Sequence, residues 1–328
     1  MTIYVSGGSN SVMKDSWVPR FAAHHPDVVN ISIGHASSIM GAYRAMFCAG
    51  MQAGDTLVWE YALNDANHVR RGHSADYLLR FVEHIIVHCR TLGVRFAPVI
   101  FTHLRDELPR KQSPYHRALH ALLQAYGLAA FDMSIEYRRA LGVDILPREC
   151  FGEPAHYAHD DEIVGFITDG ATRAVAAARV PDKTMPLRVG NRRLRLLDGF
   201  ATTKFHNSLL DLTAALPPVT QTFDHDGELA ALIVMTTAKA STFNVNLAGQ
   251  VVEMSATHPM KSFAKPLLKA FSCQRALGRP WQFAAQDALV LTQSATCDPA
   301  YAEVGCEKHL EDPLQDPKSM LVGILTEA

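Results

Sequence analysis

Four short segments of this 328-residue chain carry side chains that can act together on a carbonyl group. Gly7-Gly8-Ser9-Asn10-Ser11 sets a serine behind two glycines, and Ile33-Gly34-His35 offers a third. Tyr61-Ala62-Leu63-Asn64-Asp65 supplies an amide, and Glu153-Pro154-Ala155-His156-Tyr157 supplies a carboxylate and an imidazole. A serine hydroxyl becomes an effective nucleophile when a neighbouring imidazole takes its proton. A carboxylate on the far ring nitrogen then fixes the tautomer and steadies the imidazolium. Attack on an acyl carbonyl puts negative charge on oxygen, and each donor fixed in advance lowers that barrier by about 3–4 kcal/mol. Taken singly the segments say little, because glycine-serine loops after strands also cradle phosphates. The Gly-Lys-Ser/Thr ending of a P-loop and the Gly-x-Ser-x-Gly elbow are both absent.

Chemistry from such scattered residues requires elements that bring them to one place. Residues 2–6, 27–33, 55–61 and 94–101 are short runs rich in Val, Ile, Phe and Tyr, each separated from the next by enough chain for a helix. That alternation predicts a parallel sheet wrapped by helices. Residues 75–93 place Leu78, Leu79, Val82, Ile85, Ile86 and Cys89 on one broad face and end at Gly93, which predicts a helix. A second helix is expected over 113–126, opened by Ser113 and Pro114 and stopped by Gly127. A fifth strand in AAFDM, a helix near 134–141, an irregular loop PRECFGEPAHYAH and an alanine-rich helix over 160–179 complete the first unit. In an open parallel sheet, the loops leaving the carboxyl ends of the strands meet at one crevice. The four segments occupy such loops.

Serine, glycine, asparagine and histidine in that chain order resemble the SGNH hydrolases, the GDSL esterase/lipase family, over residues 2–179. The resemblance implies a flavodoxin-like three-layer α/β domain and makes Ser9 the nucleophile in GGSNS, with Gly8 where the family most often has aspartate. It assigns the oxyanion hole to the N–H groups of Ser9 and Gly34 and the side-chain amide of Asn64, although Ala62 replaces the usual glycine of that block. The usual Asp-x-x-His pair becomes Glu153 and His156. His159, followed by Asp160 and Asp161, is the competing base; the acid-to-histidine spacing favours His156. Gly8, Asn10, Asp65 and His159 are expected at the substrate. Asp65 has a second reading, as a residue that holds Asn64 in place. If Ser9 begins a helix, the helix N-terminus adds partial positive charge beside the oxyanion.

The remaining candidates have plainer readings. His84 with His88, and His116 with His120, have the i,i+4 spacing that lets two imidazoles share a metal, but neither pair contains the glutamate of HExxH. With 16 histidines such spacings arise by chance, so no metal or other cofactor is expected. Arg192-Arg193-Leu194-Arg195 reads as the solvated side of a strand. Six cysteines (Cys48, Cys89, Cys150, Cys273, Cys297, Cys306) without a CxxC pair fit reduced thiols.

From about Pro181 the texture changes: PDKTMPLRVGNRR has linker composition, and strand-like runs follow. In residues 241–254, Phe243, Val245 and Leu247 alternate with Asn244 and Asn246 before an Ala-Gly-Gln turn. The expectation is a catalytic domain over 1–182 and a β-rich, sandwich-like accessory domain over 183–328. Lysine and arginine number 31 against 33 acidic residues, which argues against nucleic acid or a membrane surface as partner. The opening MTIYVSGG has no basic segment followed by an apolar run, so a cytoplasmic location is expected. The expected function is an acyl-ester hydrolase, an esterase or deacetylase acting on an acylated carbohydrate. Two alternatives stay open: an O-acyltransferase using the same residues, and a non-catalytic glycan-binding or assembly protein.

Overall fold

A computed structural model describes residues 1–107, 113–182, 185–206, 210–238, 242–258, 266–296, 298–306 and 319–328. Residue 183, the expected start of the second domain, and Cys297 lie outside the described residues. The chain divides into two units, Met1–Asn191 and Arg192–Ala328.

The first unit is built on β1 (Ile3–Gly7), β2 (Val28–Asn30), β3 (Thr56–Glu60), β4 (Arg95–Ile100) and β5 (Phe131–Asp132). These pair in parallel in the order β2-β1-β3-β4-β5, the flavodoxin-like arrangement. Every residue of β3 is buried, as expected of a central parallel strand covered on both faces. Val58 joins Ile3, Val5 and Val99 in a core completed by Trp17, Phe21, Ile163 and Ile167, from α2 (Trp17–His24) and α9 (Asp161–Ala177). Leu57 and Trp59 alternate with Val58 and so face the opposite way. Between α2 and α9 the chain forms α3 (Ser38–Tyr43), α4 (Ala62–Arg70), α5 (Ala75–Leu92), α6 (Leu104–Glu107), α7 (Pro114–Ala125) and α8 (Met133–Leu141); α1 (Ser9–Val12) precedes α2.

The helix boundaries follow from their caps. Ser74 accepts from the Tyr77 N–H to start α5, and Gly93 ends it at φ 74°, a left-handed turn that suits glycine. Ser113 accepts from the His116 N–H ahead of Pro114 in α7. Asp160 accepts from the Ile163 N–H in α9, with Asp161 and Glu162 in the first turn beside the positive end of the helix dipole. No helix among the described residues is long and apolar enough to cross a membrane.

The structure differs from the sequence expectation at two places. The segment after β3 is the first turn of α4 rather than a loop, so Asn64 is held by helical backbone. The stretch expected as an irregular loop contains a small antiparallel hairpin, β6 (Phe151–Glu153) with β7 (His156–Tyr157). Strands of two and three residues leave no periodic trace for a sequence reading to find.

The second unit contains β8 (Leu194–Leu197), β9 (Thr203–His206), β10 (Asp211–Ala214), β11 (Val219–Thr222), β12 (Gly227–Thr236) and β13 (Thr242–Leu247). It continues with β14 (Gln250–Ser255), β15 (Leu267–Ser272), β16 (Trp281–Phe283), β17 (Ala288–Ser294), β18 (Tyr301–Ala302) and β19 (Met320–Glu327). One sheet runs β11-β17-β13-β14-β18, and the other runs β15-β12-β19-β8 with β16 on β12. Phe243, Val245 and Leu247 of the first share a core with Leu232, Val234 and Ile324 of the second. This is the sandwich expected from the alternation in β13. Ala248 and Gly249, at φ 50° and 78°, form the two-residue turn to β14.

Candidate active site

Ser9 sits where β1 gives way to α1, with Gly8 as the residue before the first helical position. Its Oγ lies 2.7 Å from His156 Nε2, and His156 Nδ1 lies 3.2 Å from Glu153 Oε2. Hydroxyl, imidazole and carboxylate form one connected chain, although Ser9 lies 147 residues from His156 in sequence. As the first residue of α1, Ser9 has an N–H without an acceptor inside its own helix.

The other two segments also arrive at the turn. Gly34 stands directly beside Ser9: a Cβ there would lie 3.7 Å from Ser9 Cα. His35, the next residue, has φ 57°, so the chain bends sharply at this point. Ser32 fastens that loop to the first, accepting from the Gly7 N–H at 2.9 Å. The Asn64 carboxamide lies against Gly8, where a Cβ would come within 2.0 Å of Oδ1 and 2.8 Å of Nδ2. Glycine at position 8, where the resemblance leads one to expect aspartate, therefore leaves room for the Asn64 carboxamide in the position it takes here. The amide occupies the volume a side chain would need.

His156 is fixed by its hairpin on several sides. Asn10 Nδ2 donates to the Ala155 carbonyl at 3.1 Å, and the Leu104 N–H donates to the Pro154 carbonyl at 2.9 Å. Tyr157 stacks on Phe151 with ring centroids 4.8 Å apart, and its hydroxyl accepts from the Thr102 N–H at 3.2 Å and bonds Ser134 Oγ at 3.1 Å. The imidazole is thus positioned mainly by backbone and packing. Glu153 contributes less, because its side chain is 71% exposed; an ion pair so open to water is worth about 1 kcal/mol or less. Glu153→Ala is accordingly expected to lower kcat by about fivefold or less. Losing the orienting carboxylate of a buried triad removes about 10^4-fold. Steady-state kinetics on any ester substrate separates the two magnitudes.

Three of the four residues expected at the substrate have structural work instead. Asp65 is fully buried and accepts from the Ser38 N–H at 2.8 Å, the Ser38 hydroxyl at 2.5 Å and the Tyr115 hydroxyl at 2.6 Å. Its side chain has no face open to a ligand and instead ties α4, which carries Asn64, to α3 and α7. Burial raises its carboxyl to about 6. Asn10 is buried and supports the His156 hairpin, and Gly8 makes room for Asn64. His159 pairs through Nδ1 with Asp15 at 2.8 Å, and this contact draws the Asp15 carboxyl below its ordinary value. Of the spaced histidines, one pair is likewise committed within the fold: His116 bonds Ser113 Oγ and the Phe101 carbonyl, and His120 pairs with Asp132 at 3.1 Å. The sequence reading missed Glu60, buried beneath the turn that carries Ser9. Its signal was a lone acid in the otherwise apolar run TLVWEYAL.

No protein-family model and no curated protein matches the chain. Among solved structures, it is similar along its whole length to a two-domain esterase active on acetylated mannans, co-crystallised with mannopentaose. The TM-score is 0.63 at 13% identity, covering 100% of this chain and 90% of that one. A second structure of a two-domain esterase with the same activity gives 0.60 at 13% identity, covering 100% and 91%. An acetyl xylan esterase is similar over 53% of this chain and 100% of its own, with TM-score 0.43 and 14% identity.

Proposed function

From an SGNH-hydrolase fold in the amino-terminal unit, we propose that this protein is a serine esterase that removes acyl groups, acetyl foremost, from a saccharide. The observation that carries the reading is the 2.7 Å contact between Ser9 Oγ and His156 Nε2 at the carboxyl edge of the sheet. In the first step Ser9 Oγ attacks the acyl carbonyl carbon while its proton passes to His156 Nε2. The oxygen that gathers negative charge is held by the N–H groups of Ser9 and Gly34 and the amide of Asn64. Collapse breaks the bond to the sugar oxygen, which takes the proton from the imidazolium and leaves. Water then attacks the seryl ester by the same route, releasing the acid and restoring Ser9. Glu153 accepts from His156 Nδ1–H throughout.

The choice of saccharide is supported by the full-length likeness to an esterase active on acetylated mannans. On this reading residues 1–182 do the chemistry and the β-rich unit is an accessory domain. Incubation with acetylated mannan is expected to release free acetate, at a rate that added sugar acceptor leaves unchanged. Acetate appearing on the acceptor at the expense of free acid would make the protein a transferase. Failure of a serine-directed fluorophosphonate to modify Ser9 in folded protein would remove the catalytic reading altogether.

A further inference from the structure

Directly under the nucleophile turn lies a carboxyl group that the reaction above does not use. Glu60 ends β3 in register with Gly7 at the end of β1, and it is completely buried. Its Oε2 accepts from the Gly8 N–H at 3.1 Å and from the Ser11 hydroxyl at 2.8 Å. One oxygen therefore holds the residues on both sides of Ser9. Gly7 permits the approach, since a Cβ there would stand 2.5 Å from Ser11 Oγ and 2.7 Å from Glu60 Oε2. Among the described residues, Oε1 is buried with no hydrogen-bond partner and no cation pairs with the group.

We propose that Glu60 is a positioning residue that holds the turn around Ser9 as a neutral carboxylic acid. A buried carboxylate with one oxygen paired to no described protein group and no counter-charge is far less tolerable than the neutral acid, whose carbonyl oxygen accepts the same two hydrogen bonds and whose O–H on Oε1, though unpaired within the protein, carries no charge. The titratable groups facing it reinforce this. Asp65 from α4 adds negative charge and raises the Glu60 carboxyl further, Tyr61 follows it in the chain as a buried phenol, and Arg44 acts on Tyr61. The Ser11 and Gly8 hydrogen bonds oppose these effects, and burial prevails, pushing the group up to about 8. The neutral form also suits the chemistry. An anion touching the Gly8 N–H, one residue from the Ser9 N–H, would oppose the charge that gathers on the acyl oxygen.

The rate consequence rests on the esterase reading; the protonation state does not, so two measurements separate them. The first is thermal stability against pH in wild type and Glu60→Gln. Unfolded, Glu60 titrates near 4.5, and folded, near 8. Between those values only the folded state holds the proton, so the group's contribution to stability declines as pH rises through the window. Wild type is expected to lose Tm relative to E60Q between pH 4.5 and pH 8; a Tm difference independent of pH overturns the proposal.

The second is the rate of fluorophosphonate labelling at Ser9 from pH 6 to 10. Wild type is expected to slow by about tenfold above pH 8, whereas E60Q, which keeps an acceptor and cannot ionise, stays within about threefold of wild type at pH 7 and lacks the alkaline fall. Glu60→Ala is expected to lose at least about tenfold in kcat with KM unchanged. An alkaline fall retained in E60Q overturns the proposal. If E60Q does not fold, Ser11→Ala carries the test. Losing a hydrogen bond that favours the charged form is expected to move the alkaline midpoint upward, and a midpoint that stays or drops counts against the proposal. Absence of any labelling in wild type removes the esterase reading, and the Tm comparison then decides the state of Glu60.

Discussion

Ser9→Ala and His156→Ala are each expected to lower kcat by about 10^4- to 10^6-fold, and the double variant to lose no more than either alone. The hydroxyl and the imidazole act as one unit through the 2.7 Å contact. Without the serine there is nothing to acylate, and without the base the hydroxyl keeps its proton. Activity that remains in either variant comes from the oxyanion donors and from binding. His159 supplies the internal comparison. Its Nδ1 is engaged with Asp15, and His159→Ala is expected to lose less than about threefold. Acetate release together with fluorophosphonate labelling of the four proteins checks the set. A large loss in H159A with activity kept in H156A would transfer the role of base to the other histidine.

The second large effect concerns the amide. Asn64→Ala is expected to lower kcat by about 10^2- to 10^3-fold, equivalent to about 3–4 kcal/mol, with KM nearly unchanged, because the donor acts on charge that exists only in the transition state. Gly8→Ala tests the same group from the other side. Its new methyl would stand within 2.0 Å of Asn64 Oδ1, and the carboxamide must move to admit it. The loss in G8A is therefore expected to approach that of N64A, and the two together to cost no more than N64A alone. Additive losses would mean that the glycine serves the turn by some route other than the amide.

Much of this arrangement could be read before any coordinates. The longer elements of the first 180 residues, β1, β3, β4, α5, α7 and α9, have ordinary lengths, so hydrophobic period and cap residues such as Ser113 and Asp160 mark them plainly. Three of the four candidate segments follow from strand ends, because a parallel sheet sends its carboxyl-edge loops to one rim; the fourth, 153–157, lies beyond α8 in a small hairpin. What could not be read was direction. Asp65 and Asn10 lie one residue from Asn64 and Ser9, yet both turn inward, and only the neighbouring Ser38, Tyr115 and Ala155 decide that. Glu60 was missed for a related reason: a strand's hydrophobic pattern treats one acid as an interruption. Tertiary packing made it the floor of the turn.

The fastening of the His156 hairpin has a consequence for how the enzyme would be paced. Pro154 is tied to Leu104, Ala155 to Asn10, and Tyr157 to both Thr102 and Ser134, so this edge of the crevice is a rigid wall, unsuited to serve as a gate. Substrates should meet a preassembled site, kcat/KM, which reports the acylation step, should follow the leaving-group ability of the alcohol, and raising solvent viscosity should leave kcat almost untouched.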